Sequence, residues 1–199
     1  MKITSSRFLR SVSDAAHLIH DNKKQIAFVG RSNVGKSSLI NMLVNNGKLA
    51  KTSSTPGRTR LVNYFVINED FYFVDLPGYG YAKASKSMVY DWQGLIEPYL
   101  TSNLNLKCVC VLVDSRHEPT DQDKQMIDFL SYYNIPFIII ATKCDKHVKS
   151  KLKPALTKVA NALGVGTANV FGVSSETRYG KDAVLEKIEN MLSVENNLQ

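Results

Sequence analysis

The sequence predicts an α/β fold in three layers: a mostly parallel six-stranded sheet with one antiparallel strand, covered by helices on both faces. Three observations point to it. Short apolar runs alternate with longer amphipathic stretches from Ile26 to Leu192. Most of the apolar runs end in a loop of Gly, Ser, Asp or Asn. Leu61 to Ile67 and Phe71 to Val74 are separated only by a short Asn-Glu-Asp turn, so they pair as a hairpin, while the other strands need crossovers and run parallel.

Taken in order, Ile26 to Val29 is the first strand and leads into Gly30; Lys36 to Asn46 follows as a helix. After the hairpin a helix spans Lys86 to Leu100, and Pro98 makes its last turn irregular or ends it early. Lys107 to Val113 is a strand and Asp121 to Tyr133 a helix with Asp and Gln at its start. Phe137 to Ala141 is a near-continuous apolar run, as a parallel strand covered on both faces requires. Ser150 to Leu163 is helical, and Pro154 fits only near its first turn. Asn169 to Val173 is the last strand and Lys181 to Leu192 the last helix. With no linker or repeat between them, these elements are expected to form one domain, a core over 25–199 preceded by an N-terminal extension over 1–24.

A chain of 199 residues, 44% hydrophobic and 22% charged, has the composition of a soluble globular protein and not of a disordered one. Its longest strongly apolar stretch, Ile135 to Ala141 with Pro136 inside it, is far short of the roughly 20 residues of a membrane span. Met1 to Arg10 reads as no secretory signal. Cys108 and Cys110 fall on one face of a strand and Cys144 in a loop, so all three are expected as reduced thiols. The net charge of +7 and pI near 9.2 suit a polyanionic partner such as RNA, or simply a solvated surface.

Gly30-Arg31-Ser32-Asn33-Val34-Gly35-Lys36-Ser37, followed by Ser38, has the pattern Gly, four residues, Gly-Lys-Ser between a strand and a helix. Glycines at 30 and 35 let the backbone turn around phosphates, and successive N–H groups with the helix's positive end face the anion. Lys36 neutralises terminal phosphate oxygens and acts in catalysis; the Ser37 hydroxyl is a Mg²⁺ ligand. This makes the chain a P-loop nucleotide-binding protein without choosing ATP or GTP.

Asp75-Leu76-Pro77-Gly78 closes the strand Phe71 to Val74. Asp75 is placed to hold Mg²⁺ through water, and Gly78 to offer its N–H to a γ-phosphate. Gly57, Arg58 and Thr59 precede the hairpin, and Thr59 is the favoured threonine to complete the metal shell as a catalytic switch residue, with Thr52 and Thr55 as competitors. Thr142-Lys143-Cys144-Asp145, with Lys146 next, follows the strand Phe137 to Ala141. Asp145 can accept hydrogen bonds from guanine N1–H and the 2-amino group, which adenine lacks there, and the Lys143 stem can lie along the base. Ser174-Ser175-Glu176 supplies a second loop for the base oxygen.

This ordered set resembles the Ras-like superfamily of translation-factor-related GTPases, and more closely the EngB family of bacterial ribosome-biogenesis GTPases. The resemblance is carried by Gly30 to Asn41, Thr52 to Thr59, Asp75 to Ala82, Val113 to Pro119, Thr142 to Lys146 and Ser174 to Thr177. It implies a Ras-like G domain, a cytoplasmic and monomeric protein, GTP hydrolysis to GDP with Mg²⁺, assembly of the large ribosomal subunit, and a link to cell division and septation. Thr142 stands where the wider superfamily usually has Asn, a change expected in loop bracing only.

Tyr79 stands where many such GTPases place the Gln that orients water, so slow hydrolysis is expected. Its ring is expected to turn from the phosphate. Asn33 is read either as a ligand for an activating K⁺ or as a brace for the switch loops. Tyr79 and Tyr81, near Lys83 and Lys86, either stack on RNA bases or pack on the protein's own switch helix. Arg58 and Arg60 add basic surface, Arg116 and His117 are read as structural, and Lys143, Lys146, Lys149, Lys151 and Lys153 as an RNA-facing or solvated edge.

Overall fold

Two strands set the centre of the molecule: Gln25–Gly30 (β2), buried along its whole length, and Leu106–Asp114 (β5), buried up to its last residue. The structure, a computed structural model, describes residues 1–51, 61–79 and 92–194. The other strands are Ser6–Val12 (β1), Val62–Ile67 (β3), Phe71–Asp75 (β4), Phe137–Thr142 (β6) and Val170–Gly172 (β7). The helices are Lys36–Val44 (α1), Glu97–Ser102 (α2), Asp121–Tyr132 (α3), Lys149–Ala162 (α4) and Lys181–Ser193 (α5). The sheet order is β1-β3-β4-β2-β5-β6-β7. β3 is antiparallel to both its neighbours and every other pairing is parallel, so β3 alone runs against the rest.

The sheet has seven strands, one more than the sequence predicts. β1 escapes detection because Ser-Arg-Phe-Leu-Arg-Ser-Val has no buried face along most of its length; only Val12 is buried, and the pairing breaks register between Phe8 and Arg10. An edge strand with charges and a bulge is poorly visible to hydrophobic periodicity, and these features blunt an otherwise open edge. Asn68 ties the N-terminal segment to the hairpin: its Oδ1 accepts from the Thr4 and Ser5 N–H groups at 2.8 and 3.2 Å, and its Nδ2 donates to the Lys2 carbonyl at 2.9 Å. Asn68 and Glu69 have φ of 52° and 54°, the left-handed pair that a tight hairpin turn demands.

Side chains alternate across β2. Ile26 and Phe28 join α1 and α5 in one core, while Ala27 and Val29 join α2, α3 and α4 in the other. Cys108 and Cys110 are free and buried in the first of these cores, as small hydrophobes. α1 ends at Val44 because Asn45 turns left-handed, with φ of 56°, and its N–H returns to Asn41 and Met42 carbonyls. Two proline expectations need correction. The irregular turn, a π turn over Trp92–Ile96, precedes Pro98, which lies at the start of α2 where its missing N–H is harmless, and the helix continues to Ser102. Pro154 lies inside α4 beyond its first turn, exposed, and leaves the carbonyl four residues before it without that donor. Among the described residues no helix is long and apolar enough to cross a membrane.

Candidate functional site: a phosphate loop braced to two strand-end loops

The loop at the end of β2 exists because β5 crowds it. A Cβ on Gly30 would lie 2.9 Å from the Leu112 carbonyl oxygen and 3.0 Å from Val34 Cγ1, so only glycine fits. Asn33 (φ 64°) and Gly35 (φ 102°) then curl the chain through left-handed turns, and Gly35 becomes the N-cap of α1. The curl brings the free N–H groups of the first helical turn to one mouth, where an anion is favoured. Arg31, Asn33 and Ser38 are exposed, Ser32 and Ser37 half-buried, and Val34 is a buried anchor.

At the end of β4, Asp75 is buried and ion-paired with Lys36 Nζ, which also donates to the Leu76 carbonyl at 2.7 Å. The two groups expected to serve phosphate and metal therefore adjoin one another, each screening a charge that would be costly alone in a part-buried site. Pro77 and Gly78 continue along the phosphate loop, and a Cβ on Gly78 would lie 3.1 Å from the Gly30 carbonyl oxygen. Tyr79 pairs its backbone with that loop on both sides: its N–H donates to Gly30 at 3.2 Å and its carbonyl accepts from the Ser32 N–H at 3.3 Å. Its ring packs into the α2–α4 core, and its hydroxyl donates to Asp123 Oδ1 at 2.9 Å. Burial, and then the Asp123 carboxylate, push the phenol far above its ordinary range. Tyr79 thus turns its ring from the phosphate loop and packs it on the protein's own core.

Ser37 and Asp75 present hydroxyl and carboxylate oxygens, hard donors of the kind Mg²⁺ takes together with phosphate oxygens and water. Among the described residues no group of three or more His, Cys, Asp and Glu gathers into a protein cage for an ion. Gly57, Arg58 and Thr59 lie outside the described residues, as do Thr52, Thr55, Arg60, Tyr81, Lys83 and Lys86.

The third loop leaves β6. Thr142 Oγ1 lies 2.7 Å from the Val34 carbonyl oxygen and 3.1 Å from that of Val113, so its one proton braces the phosphate loop against β5. Lys143 is left-handed (φ 61°), and its Nζ donates to the Asn33 carbonyl at 2.9 Å and to Asp114 at 2.9 Å. Asp114 also takes Arg116 through two side-chain bonds of 2.9 and 2.8 Å. Burial works against its charge, but the Arg116 and Lys143 hydrogen bonds prevail and hold its carboxyl well below the usual range. Asp145 Oδ1 accepts from Ser174 Oγ at 2.7 Å and Oδ2 meets Lys146 at 2.8 Å; Lys146 reaches on to Glu176 at 3.3 Å. Lys146 first and Ser174 second keep the Asp145 carboxyl low and ionised. Ser175 sits half-buried in the same turn. Gly180 holds that turn against β7: with φ of 75°, it faces the Gly172 carbonyl where no Cβ fits.

The sequence reading misses Asp114, Asp123 and Gly180 as parts of this assembly. Thr120 to Asp123 carries a Thr-x-x-Asp capping signal, and Asp114 sits at a strand end beside Thr142 in register. Their contacts with Tyr79 and Lys143 join segments distant along the chain, and no local signal marks them. Arg116 is structural as expected, through Asp114.

Residues 25–143 match the family model described as a 50S ribosome-binding GTPase. The chain is 46% identical over 190 residues to the probable GTP-binding protein EngB of Prosthecochloris aestuarii, covering 96% of this chain and 98% of that one. With the protein of the same description from Clostridium acetobutylicum it shares 46% identity over 198 residues, 99% of each chain. Among solved structures, a probable GTP-binding protein engB superposes with a TM-score of 0.67 at 23% identity, over 84% of this chain and 98% of that one. Era in complex with MgGDPNP and nucleotides of 16S ribosomal RNA gives 0.65 at 22% identity, over 88% of this chain and 59% of that one. At those identities the likeness establishes the fold, a Ras-like G domain.

Proposed function

The chain belongs to the EngB family of GTP-binding proteins, and from that premise we propose that it is a slow, Mg²⁺-dependent GTPase whose nucleotide state governs assembly of the large ribosomal subunit. The observation that carries this reading is the geometry around Lys143 and Asp145. An ionised carboxylate, oriented by Ser174, stands beside a lysine whose amine is fixed between the phosphate loop and Asp114. A purine with donors at N1 and C2 can add two hydrogen bonds to the carboxylate's remaining lone pairs, beside those from Ser174 and Lys146; adenine offers neither donor there. One rigid brace then sets the distance from base to phosphates.

In this reading the mouth made by Gly30, Arg31, Ser32, Asn33, Val34, Gly35, Lys36, Ser37 and Ser38 receives the phosphates. Lys36 neutralises their charge, and Gly78 presents its N–H to the terminal one. Ser37, Asp75 and Thr59 would hold Mg²⁺, which supplies Lewis-acid screening of phosphate oxygens when bound. Gly57 and Arg58 accompany Thr59. Asn33, exposed and left-handed in the loop, is the proposed K⁺ ligand. Leu76 and Pro77 support Asp75; Lys146, Ser175 and Glu176 complete the wall of the base site. The proposed partners are GTP or GDP and the large subunit or its precursor, with cell division and septation dependent on that role. A monomer in the cytoplasm suits it.

Co-sedimentation of the protein with ribosomal subunits in GTP, GDP or a non-hydrolysable GTP analogue tests the proposal. Retention on the large subunit with GTP or the analogue and release with GDP are expected; equal retention in all three sinks the switch. The phenol of Tyr79, engaged by Asp123 where many such GTPases place a water-orienting Gln, favours a second reading in which hydrolysis is incidental to GTP-gated binding. A hydrolysis-deficient variant that binds GTP and still supports subunit assembly would select it.

A further inference from the structure

Asp123 is 2% exposed, and its two carboxylate oxygens serve different parts of the molecule. Oδ2 accepts from the Thr120 N–H and Oγ, both at 2.8 Å, and so closes the capping box at the start of α3. Oδ1 accepts from Tyr79 Oη at 2.9 Å. The capping duty alone would require one oxygen. The second reaches across to the segment that follows Asp75, whose main chain is itself fastened to the phosphate loop.

That fastening has a chemical consequence. The Ser32 N–H belongs to the loop whose N–H groups are suited to phosphate, yet it donates to the Tyr79 carbonyl, and Gly78 is wedged against the Gly30 carbonyl. We propose that Asp123 is a positioning residue for the nucleotide switch: by latching the Tyr79 hydroxyl to the cap of α3, it holds the Gly78–Tyr79 backbone on the phosphate loop and biases the protein toward the diphosphate. A γ-phosphate competes for the same loop and for Gly78, so triphosphate binding works against the latch, and the start of α3 senses which nucleotide is bound. The inference rests on the guanine-nucleotide reading above and adds the element that reports its state.

The test is the ratio of affinities for GDP and for a non-hydrolysable GTP analogue, measured by titration on the full chain. Tyr79→Phe keeps the ring in its core and removes only the donor; the ratio is expected to move about fivefold toward the triphosphate. Asp123→Ala shifts it in the same sense, and adding Tyr79→Phe to it shifts it no further, because the two act as one unit. Thr120→Ala weakens the helix cap and lowers the melting temperature, but leaves the ratio where it was. A wild-type ratio in Tyr79→Phe, or an equal shift in Thr120→Ala, overturns the latch while guanine binding stands. Wild-type protein that binds no guanine nucleotide overturns the functional reading and the latch together.

Discussion

Lys143 and Asp114 form an ion pair of 2.9 Å that joins the end of β5 to the loop after β6, while the same amine donates to the Asn33 carbonyl in the loop after β2. Three segments distant in sequence therefore meet on one ammonium group. Arg116 also holds the same carboxylate, so Asp114 is fixed by two cations.

Asp114→Asn is expected to weaken GTP and GDP binding alike by about tenfold, since a neutral amide holds Lys143 less firmly. Fluorescent-nucleotide titration reads this, and unchanged affinities would show that Lys143 needs no counter-ion. The sign with pH follows from the lowered pKa. Its stabilisation is full above the unfolded value near 3.9 and is lost as pH falls toward the depressed folded one. The melting-temperature gap between wild type and Asp114→Asn should stay constant from about pH 7 to 5 and close only in stronger acid.

Asp145→Asn replaces an acceptor-only carboxylate by an amide that can donate. Guanine then loses a partner for one of its donors, whereas xanthine, with a carbonyl at C2, gains one. GDP affinity should drop about 100-fold or more, with xanthosine diphosphate becoming the better competitor. Retained preference for GDP would remove Asp145 from the base site.

Gly180→Ala tests the wall behind Ser174. The left-handed φ of 75° and the Gly172 carbonyl together exclude a methyl group. A loss of at least about 2 kcal/mol is expected, or a fall of roughly 4–8 °C in melting temperature. A melting temperature within a degree of wild type would mean that the turn relaxes freely.

Asn33 is exposed in the phosphate loop while its backbone carbonyl is held by Lys143. Turnover in KCl is expected to exceed turnover in NaCl, with Asn33→Gly, which removes the side chain and keeps the left-handed turn, abolishing the difference and GDP affinity staying within about threefold. Equal rates in the two salts exclude a K⁺ role. Withdrawal of Mg²⁺ by a chelator should abolish hydrolysis in both.

Fold class and nucleotide loops were legible in the chain because both depend on local order. Apolar runs end in Gly30, Asp75 and Thr142, each at a strand's carboxyl end, and parallel topology gathers such ends on one edge. β1 was not legible, since a charged edge strand shows no buried period, and Pro154 sits where propensity alone forbids it because its helix is held by packing of Val159 and Ala160.

The sequence by itself determined the alternation of strands and helices and the placing of the Gly30 to Ser37, Asp75 to Gly78 and Thr142 to Asp145 motifs at strand ends. Only the tertiary structure decided that Lys143 is shared between Asn33 and Asp114, that Thr142 braces Val34, and that Tyr79 points to Asp123. Such contacts span large sequence separations, and a part-buried polar group binds whichever partner the packing brings within reach.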